Sequence, residues 1–261
     1  VTDKRHAGRI LRLFQTGHMA EPRIASDLRN VGVNIMTVDP ETGVQWNCRD
    51  ETGHFGGSAD GVGIGFLEAP ATWHLVEIKT HSAKSFASLK KDGVAVSKPQ
   101  HEAQMQSYMH LLGLERAAYV SVNKDTDDLY LERVRYDAEA ALRLVAKAQR
   151  IVASGEPPTR ISEDPSWWQC RFCDHAAVCH EGKMPATNCR TCARSTPVEA
   201  GQWCCERTGK LISVDQQRKG CGDHIFIPAL IHDEQVDAAE DGSWIEYRRP
   251  DGSLWRDGIP F

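Results

Sequence analysis

Apolar positions along the chain keep two different rhythms, and the switches between them outline the elements. Ile10, Leu11, Leu13, Phe14, Ile24 and Leu28 recur at helical spacing, so residues 4–31 are expected to form a helix that stops at Gly32. Residues 33–80 read as strands: Val33–Val38, Gly43–Cys48, and, beyond the glycine-rich segment Gly53–Gly61, the run Trp73–Lys79. A long helical stretch follows, with Pro99 suited to a first helical turn and Gly113 placed to end the helix after Leu112. Ala117–Val122 and Leu129–Val134 alternate like two strands joined by a turn over Asn123–Asp128, and Ala138–Ala153 returns to a helical period. Helices and strands in this order predict an α/β core with a central mixed sheet flanked by helices.

Gly155–Pro158 breaks the pattern as a linker. Residues 166–224 are rich in cysteine and poor in long apolar runs. Beyond them Ser243–Arg248 and Ser253–Arg256 flank a turn at Pro250–Gly252, which predicts a short β tail. The expected organisation is a core at 1–155, a cysteine-rich module at 156–224 and a tail at 225–261. No apolar run approaches the ~20 residues that span a bilayer. Val1–Arg12 has basic residues but no apolar stretch of a secretory leader, so a cytoplasmic protein without a membrane partner is expected.

Charge changes the picture only when it is divided. The net charge of -5 resides in the tail, where residues 222–261 carry nine acidic and three basic side chains. The rest of the chain is close to neutral, and between Lys79 and Lys98 five lysines meet one acid, Asp92. Lys84, Lys90, Lys91 and Lys98 are therefore candidates for phosphate contact.

The chemistry-bearing pattern starts at Asp60 and continues at Glu77 and Lys79. Residues two apart on a strand share a face, so Glu77 and Lys79 are expected on one side while Val76 and Ile78 face the core. Two charged groups inside an apolar strand need a reason, because unpaired burial is costly. Phosphodiester hydrolysis supplies one: carboxylates are hard ligands for Mg²⁺, which activates water and offsets phosphate charge, and an amine can orient that water. Downstream, Gln104 and Tyr108 lie four apart on a predicted helix and share a face. Upstream, Gly17–Glu21 offers another carboxylate, Glu21.

Asp60, Glu77-Ile78-Lys79 and Gln104-x-x-x-Tyr108 together resemble the PD-(D/E)XK nucleases of the RecB type, and the Gly17–Glu21 segment resembles lambda-exonuclease-like viral recombination nucleases. The resemblance covers roughly residues 10–150. It implies a restriction-endonuclease-like core, and Mg²⁺- or Mn²⁺-dependent cutting of DNA, by an exonuclease in preference to an endonuclease. It also implies a place in recombination or end processing, with a bacteriophage source, a host-cell cytoplasmic location and a recombination or single-strand-annealing protein as partner. Carried over by residue, Asp60, Glu77 and the Ile78 carbonyl ligate the cation, Glu21 assists, Lys79 is catalytic, and Gln104 and Tyr108 position the substrate backbone. Ala59 stands where the motif's proline would be. His18 is an alternative to Glu21, which fits the spacing better. The competing expectation is a non-catalytic DNA-binding adaptor on the same fold.

Eight of the nine cysteines lie between Cys170 and Cys221, and two pairs are spaced C-x-x-C. In a chain without a secretory leader this favours metal over disulfides. Cys170, Cys173 and Cys179 form one group, with His180, Cys189 or Cys48 as fourth ligand. Zn²⁺ is the first expectation there and a [4Fe-4S] cluster, as the same spacing holds in some RecB-type nucleases, the second. Cys189, Cys192, Cys205 and Cys221 form a second group for Zn²⁺, with His224 as substitute and Cys204 a passenger. Scattered histidines (His54, His74, His101, His110) read as surface or core residues, and Trp244 and Trp255 as cover for the tail.

Overall fold

The computed structural model describes residues 6–258, which divide into two units, His6–Gln149 and the part from Arg150 onward. The first unit opens with helix α1, Gly8–Asn30. Only its C-terminal half enters the core, through Ile24, Ala25 and Leu28. Its earlier apolar residues do not: Leu11, Leu13 and Phe14 remain 54%, 42% and 46% exposed.

Short strands follow: β1 (Asn34–Met36), β2 (Asn47–Arg49), β3 (Gly56–Ser58) and β4 (Gly61–Ile64), then the eight-residue β5 (His74–His81). Helix α2 (Ala83–Ser97) is interrupted at Gly93, whose φ of 70° no helical residue adopts. Helix α3 (Pro99–Leu112) has Pro99 in its first turn, where the missing N–H costs nothing, and ends at the left-handed Gly113. Strands β6 (Arg116–Asn123) and β7 (Leu129–Arg135) and helix α4 (Ala138–Ala153) complete the sequence.

Five of these strands make a mixed sheet in the order β1-β4-β5-β6-β7. Strands β5 and β6 run parallel and the other neighbours antiparallel. A parallel pair needs a long crossover, and α2 with α3 provides it. The strand alternation anticipated from the sequence holds, with one correction. Val76, Ile78 and Val120 pack with α1 on one face, while Leu75 and Tyr119 pack with Leu89, Met105 and Met109 on the other. Both faces are covered, so Glu77 lies not on an open side but at 0% exposure, as deep as Val76.

The second unit has two short helices, α5 (Trp168–Arg171) and α6 (Ala176–Glu181), ahead of a three-stranded sheet of β8 (Ser195–Val198), β9 (Gln202–Cys205) and β10 (Lys210–Leu211). After α7 (Val214–Lys219) a second antiparallel sheet is formed by β11 (Glu234–Ala238), β12 (Trp244–Arg248) and β13 (Leu254–Gly258). Strand β11 carries no apolar alternation and was not anticipated. The tail and the cysteine segment are joined by a Cys192–Phe226 β-bridge, and within the tail the Phe226 N–H donates to Asp257 Oδ2 at 2.6 Å. Among the described residues no helix is long and apolar enough to cross a membrane.

Candidate active site

The site forms where β4 begins beside the middle of β5. Gly61 pairs with Val76, so the preceding residue, Asp60, stands next to Glu77. The Ile78 N–H donates to Asp60 Oδ2 at 2.8 Å, which fixes the carboxylate against the strand. The Lys79 amine donates to Glu77 Oε1 and lies 3.8 Å from Asp60 Oδ2, one cation facing two anions. Glu77 Oε2 is buried without any hydrogen-bond partner. Burial pushes the Glu77 carboxyl up to about 7, with Lys79 opposing and Asp60 and Glu21 adding to the rise. For Lys79, burial works to lower the amine's pKa, yet Glu77 and Asp60 outweigh it and hold the amine above its ordinary range.

Such an arrangement suits a divalent cation. An orphaned buried carboxylate oxygen is costly unless something positive occupies it. Asp60, Glu77 and the Ile78 carbonyl, to which Lys79 also reaches at 3.4 Å, are all hard oxygen donors. Among the described residues no three His, Cys, Asp or Glu side chains are arranged to hold a metal ion. A cation here would therefore rest on two carboxylates, a carbonyl and water, which is how Mg²⁺ is usually held.

The two faces of the sheet each send something to this point. From α3, Gln104 is hydrogen-bonded to the Tyr108 hydroxyl, whose pKa is raised by burial and by nearby Cys48 and Glu77. The glycine-rich segment explains how Tyr108 fits. A Cβ on Gly57 would stand 1.9 Å from the Tyr108 oxygen, so only glycine permits this approach. Gly57→Ala should cost about 1–3 kcal/mol by overpacking, and much less when Tyr108 is already Ala. Urea unfolding of the two single variants and the double variant measures this coupling. Additive costs would refute the contact.

From α1, Glu21 pairs with His18 at 3.4 Å. Burial and the Asp60 carboxylate raise its pKa, while His18 and Lys79 pull it down, so Glu21 faces the same group of charges. Ala59, in the motif's proline position, is fully buried.

Beside Lys79 the structure reveals a buried chain that the sequence did not suggest. Tyr119, the register partner of Glu77, bonds through its hydroxyl to His81 Nε2 and to His101 Nδ1, both at 2.8 Å, and Ser85 meets His81 Nδ1 at 3.2 Å. Burial lowers both imidazoles to about 4, helped by Lys98 and Lys79 around each and by Lys124 near His81. Of the four lysines proposed for phosphate contact, Lys98 is thus brought to the site's side; Lys84, Lys90 and Lys91 are exposed on α2. Because the folded pKa of His81 is depressed, the stability it lends is present above pH 6.5 and is lost as pH falls towards 4. Wild type should lose about 1 kcal/mol more than His81→Gln between pH 7 and pH 5, after allowance for partial solvent screening. Thermal melts at the two pH values read this difference directly.

In the second unit all eight cysteines are free. Burial and the thiols of Cys173 and Cys179 raise the Cys170 thiol, and burial with Cys192, Cys221 and Cys205 raises Cys189. Each proposed group is therefore a set of electrostatic neighbours, although neither is drawn into a cage. Burial opposes it, but hydrogen bonds with Thr208 hold the Cys205 thiol below its ordinary value. His224 is engaged elsewhere: its Nε2 meets Thr191 Oγ1 at 3.2 Å and its ring lies edge-on to Phe226.

No family model and no curated protein matches the chain. Among solved structures it is similar to the crystal structure of an alkaline exonuclease, LHK-Exo, from Laribacter hongkongensis, at 21% identity over 58% of this chain and 70% of that one, with a TM-score of 0.43. It is likewise similar to LHK-Exo in complex with dAMP, at 20% identity over 58% and 70% of the two chains, with a TM-score of 0.42. Likeness at this level carries no weight on activity, which stands on the side chains alone.

Proposed function

We propose that the chain is a Mg²⁺-dependent deoxyribonuclease of the PD-(D/E)XK type, acting on DNA ends. The observation that carries the reading is the fully buried Glu77, one oxygen unpartnered, beside Asp60 and Lys79 on adjacent strands. A structural Lys–Glu pair would need neither the second carboxylate nor the empty oxygen.

Asp60, Glu77 and the Ile78 carbonyl are the residues to hold the cation. When bound, Mg²⁺ supplies positive charge to the phosphate and makes a water more acidic. Glu77 and Asp60 raise the pKa of the Lys79 amine, which favours its protonated, donating form. Its part is to donate to a phosphate oxygen, orient the attacking water and offset charge that develops in the transition state. Glu21, which shares the electrostatic field of Asp60, orients that water from the α1 side. Gln104 and Tyr108 bind the substrate backbone from the α3 side, and Lys98, whose charge bears on His81 and His101, adds a phosphate contact.

Incubation with linear and with covalently closed circular duplex in Mg²⁺ tests this. Shortening of linear DNA alone is the expected result. Nicked circles would replace the exonuclease by an endonuclease, and no cleavage in Mg²⁺ or Mn²⁺ would overturn the reading.

For the second unit the proposal is a structural Zn²⁺ held by Cys189, Cys192, Cys205 and Cys221. It is supported by their spacing, their mutual electrostatic proximity and the lowered Cys205 thiol. Cys170, Cys173 and Cys179 would hold a second metal. Elemental analysis of the purified chain should find about one to two zinc atoms per molecule, with Cys192→Ser losing about one. A brown protein containing iron would reassign the Cys170 group to a cluster. Metal-free, stably folded protein would remove both sites.

A further inference from the structure

A cavity of about 390 Å³ lies between α1 and the end of β5. Its size is at the small end of ligand sites, enough for one nucleoside unit. One wall is apolar and comes from the part of α1 that the core does not use: Leu13 and Phe14 are 42% and 46% exposed. His6 meets Phe14 edge-on at 5.1 Å and steadies its ring. Gly17, one turn on, also lines the cavity, and a Cβ there would meet nothing within 4 Å. Ile78 and Thr80 line the cavity from β5, the amines of Lys79 and Lys124 bring positive charge to it, and His18 and the Glu21 carboxylate border it from α1.

The frame is held in place before any ligand arrives. Arg23 of α1 pairs with Asp127 at 3.1 Å, the Lys124 N–H donates to the His81 carbonyl at 2.9 Å, and the Ala83 N–H donates to Asp125 Oδ2 at 2.7 Å. These bonds tie the turn that carries Lys124 to both α1 and β5. Lys79 belongs at once to this cavity and to the carboxylate centre, so the two spaces adjoin.

A flat aromatic wall next to two amines matches a base attached to a sugar phosphate. A free inorganic anion would leave the apolar wall unused, and an apolar ligand would leave the Lys124 charge at the cavity unanswered. We propose that this cavity is a nucleobase subsite: it takes one unpaired base of the nucleotide adjoining the scissile phosphate, with Phe14 and Leu13 against the base and Lys124 on its phosphate. The inference rests on the nuclease reading and deepens it, because only a single-stranded or frayed strand can offer such a base.

Two measurements on the full-length chain test it. In the first, oligodeoxynucleotides carry 2-aminopurine at the 5′ or the 3′ terminus, and fluorescence is followed on binding in Ca²⁺. One of the two ends should change by about twofold or more on wild type, since stacking and burial alter that emission. Gly17→Leu puts a side chain at the cavity where a Cβ meets nothing within 4 Å, and leucine is the better helix former, so its melting midpoint should hold while the fluorescence change disappears. Phe14→Ala should also lose the change, and Lys124→Ala should weaken binding about fivefold or more. In the second measurement, wild type in Mg²⁺ should cut a natural terminal nucleotide at least ~5-fold faster than an abasic one, and Phe14→Ala and Gly17→Leu should bring that ratio to about one. No fluorescence change with wild type, or a folded Gly17→Leu that retains the change, overturns the subsite. Absence of all cleavage together with an intact, Gly17-sensitive fluorescence change sinks the nuclease reading and leaves the base-binding cavity supported.

Discussion

Asp60→Asn is expected to lower Mg²⁺-dependent hydrolysis of linear DNA by on the order of a thousandfold or more, with the fold intact. The amide oxygen of Asn can still accept the Ile78 N–H that now meets Asp60 Oδ2 at 2.8 Å, so the local bond survives. What is lost is a negative charge, and with it half of the carboxylate pair that would hold the cation. The same change relieves Glu77 and Glu21, whose carboxyl pKa values Asp60 helps to raise, so thermal stability should not fall. Initial rates and melting curves on one preparation separate the two effects. An Asp60→Asn protein that still cuts DNA at a comparable rate ends the proposal.

Lys79→Met should separate catalysis from stability in a different way. Its activity should drop by on the order of 10²–10³-fold, because charge on the transition state loses a fixed donor. It should also unfold more easily by about 1–3 kcal/mol at pH 8, a pH at which Glu77 is largely ionised. Glu77 is 0% exposed and Lys79 is its hydrogen-bonded cation, so removing the amine strands a buried charge. Adding Glu77→Gln removes that charge and should restore most of the stability while activity stays lost. Urea unfolding of the single and double variants decides this. If the double variant is no more stable than Lys79→Met, the buried carboxylate is not the source of the cost.

The elements were largely legible from local rules. Pro99 and Gly113 bound α3 because one lacks an N–H that a first turn does not need and the other tolerates a left-handed φ, here 67°. The run around Glu77 could be assigned to a strand from its apolar alternation alone, and Ala138–Ala153 to a helix from its period. The candidate residues were legible too, since Asp60, Glu77 and Lys79 are charges in places where packing offers no reason for them.

What the sequence could not supply was depth and company. Alternation states that Glu77 and Val76 face opposite ways, but not that α3 and α2 cover the second face and take Glu77 to full burial. Tyr119, His81 and His101 meet only because a parallel crossover sets β6 beside β5 and α3 above both. Lys124 falls within the turn read at Asn123–Asp128, and Phe14 within the helical apolar period of residues 4–31; in the folded chain both line the cavity beside Lys79. Periodicity and capping act over a few residues and can be read from a string. Burial, field and shared space depend on segments far apart in the chain, and only the packed sheet brings those together.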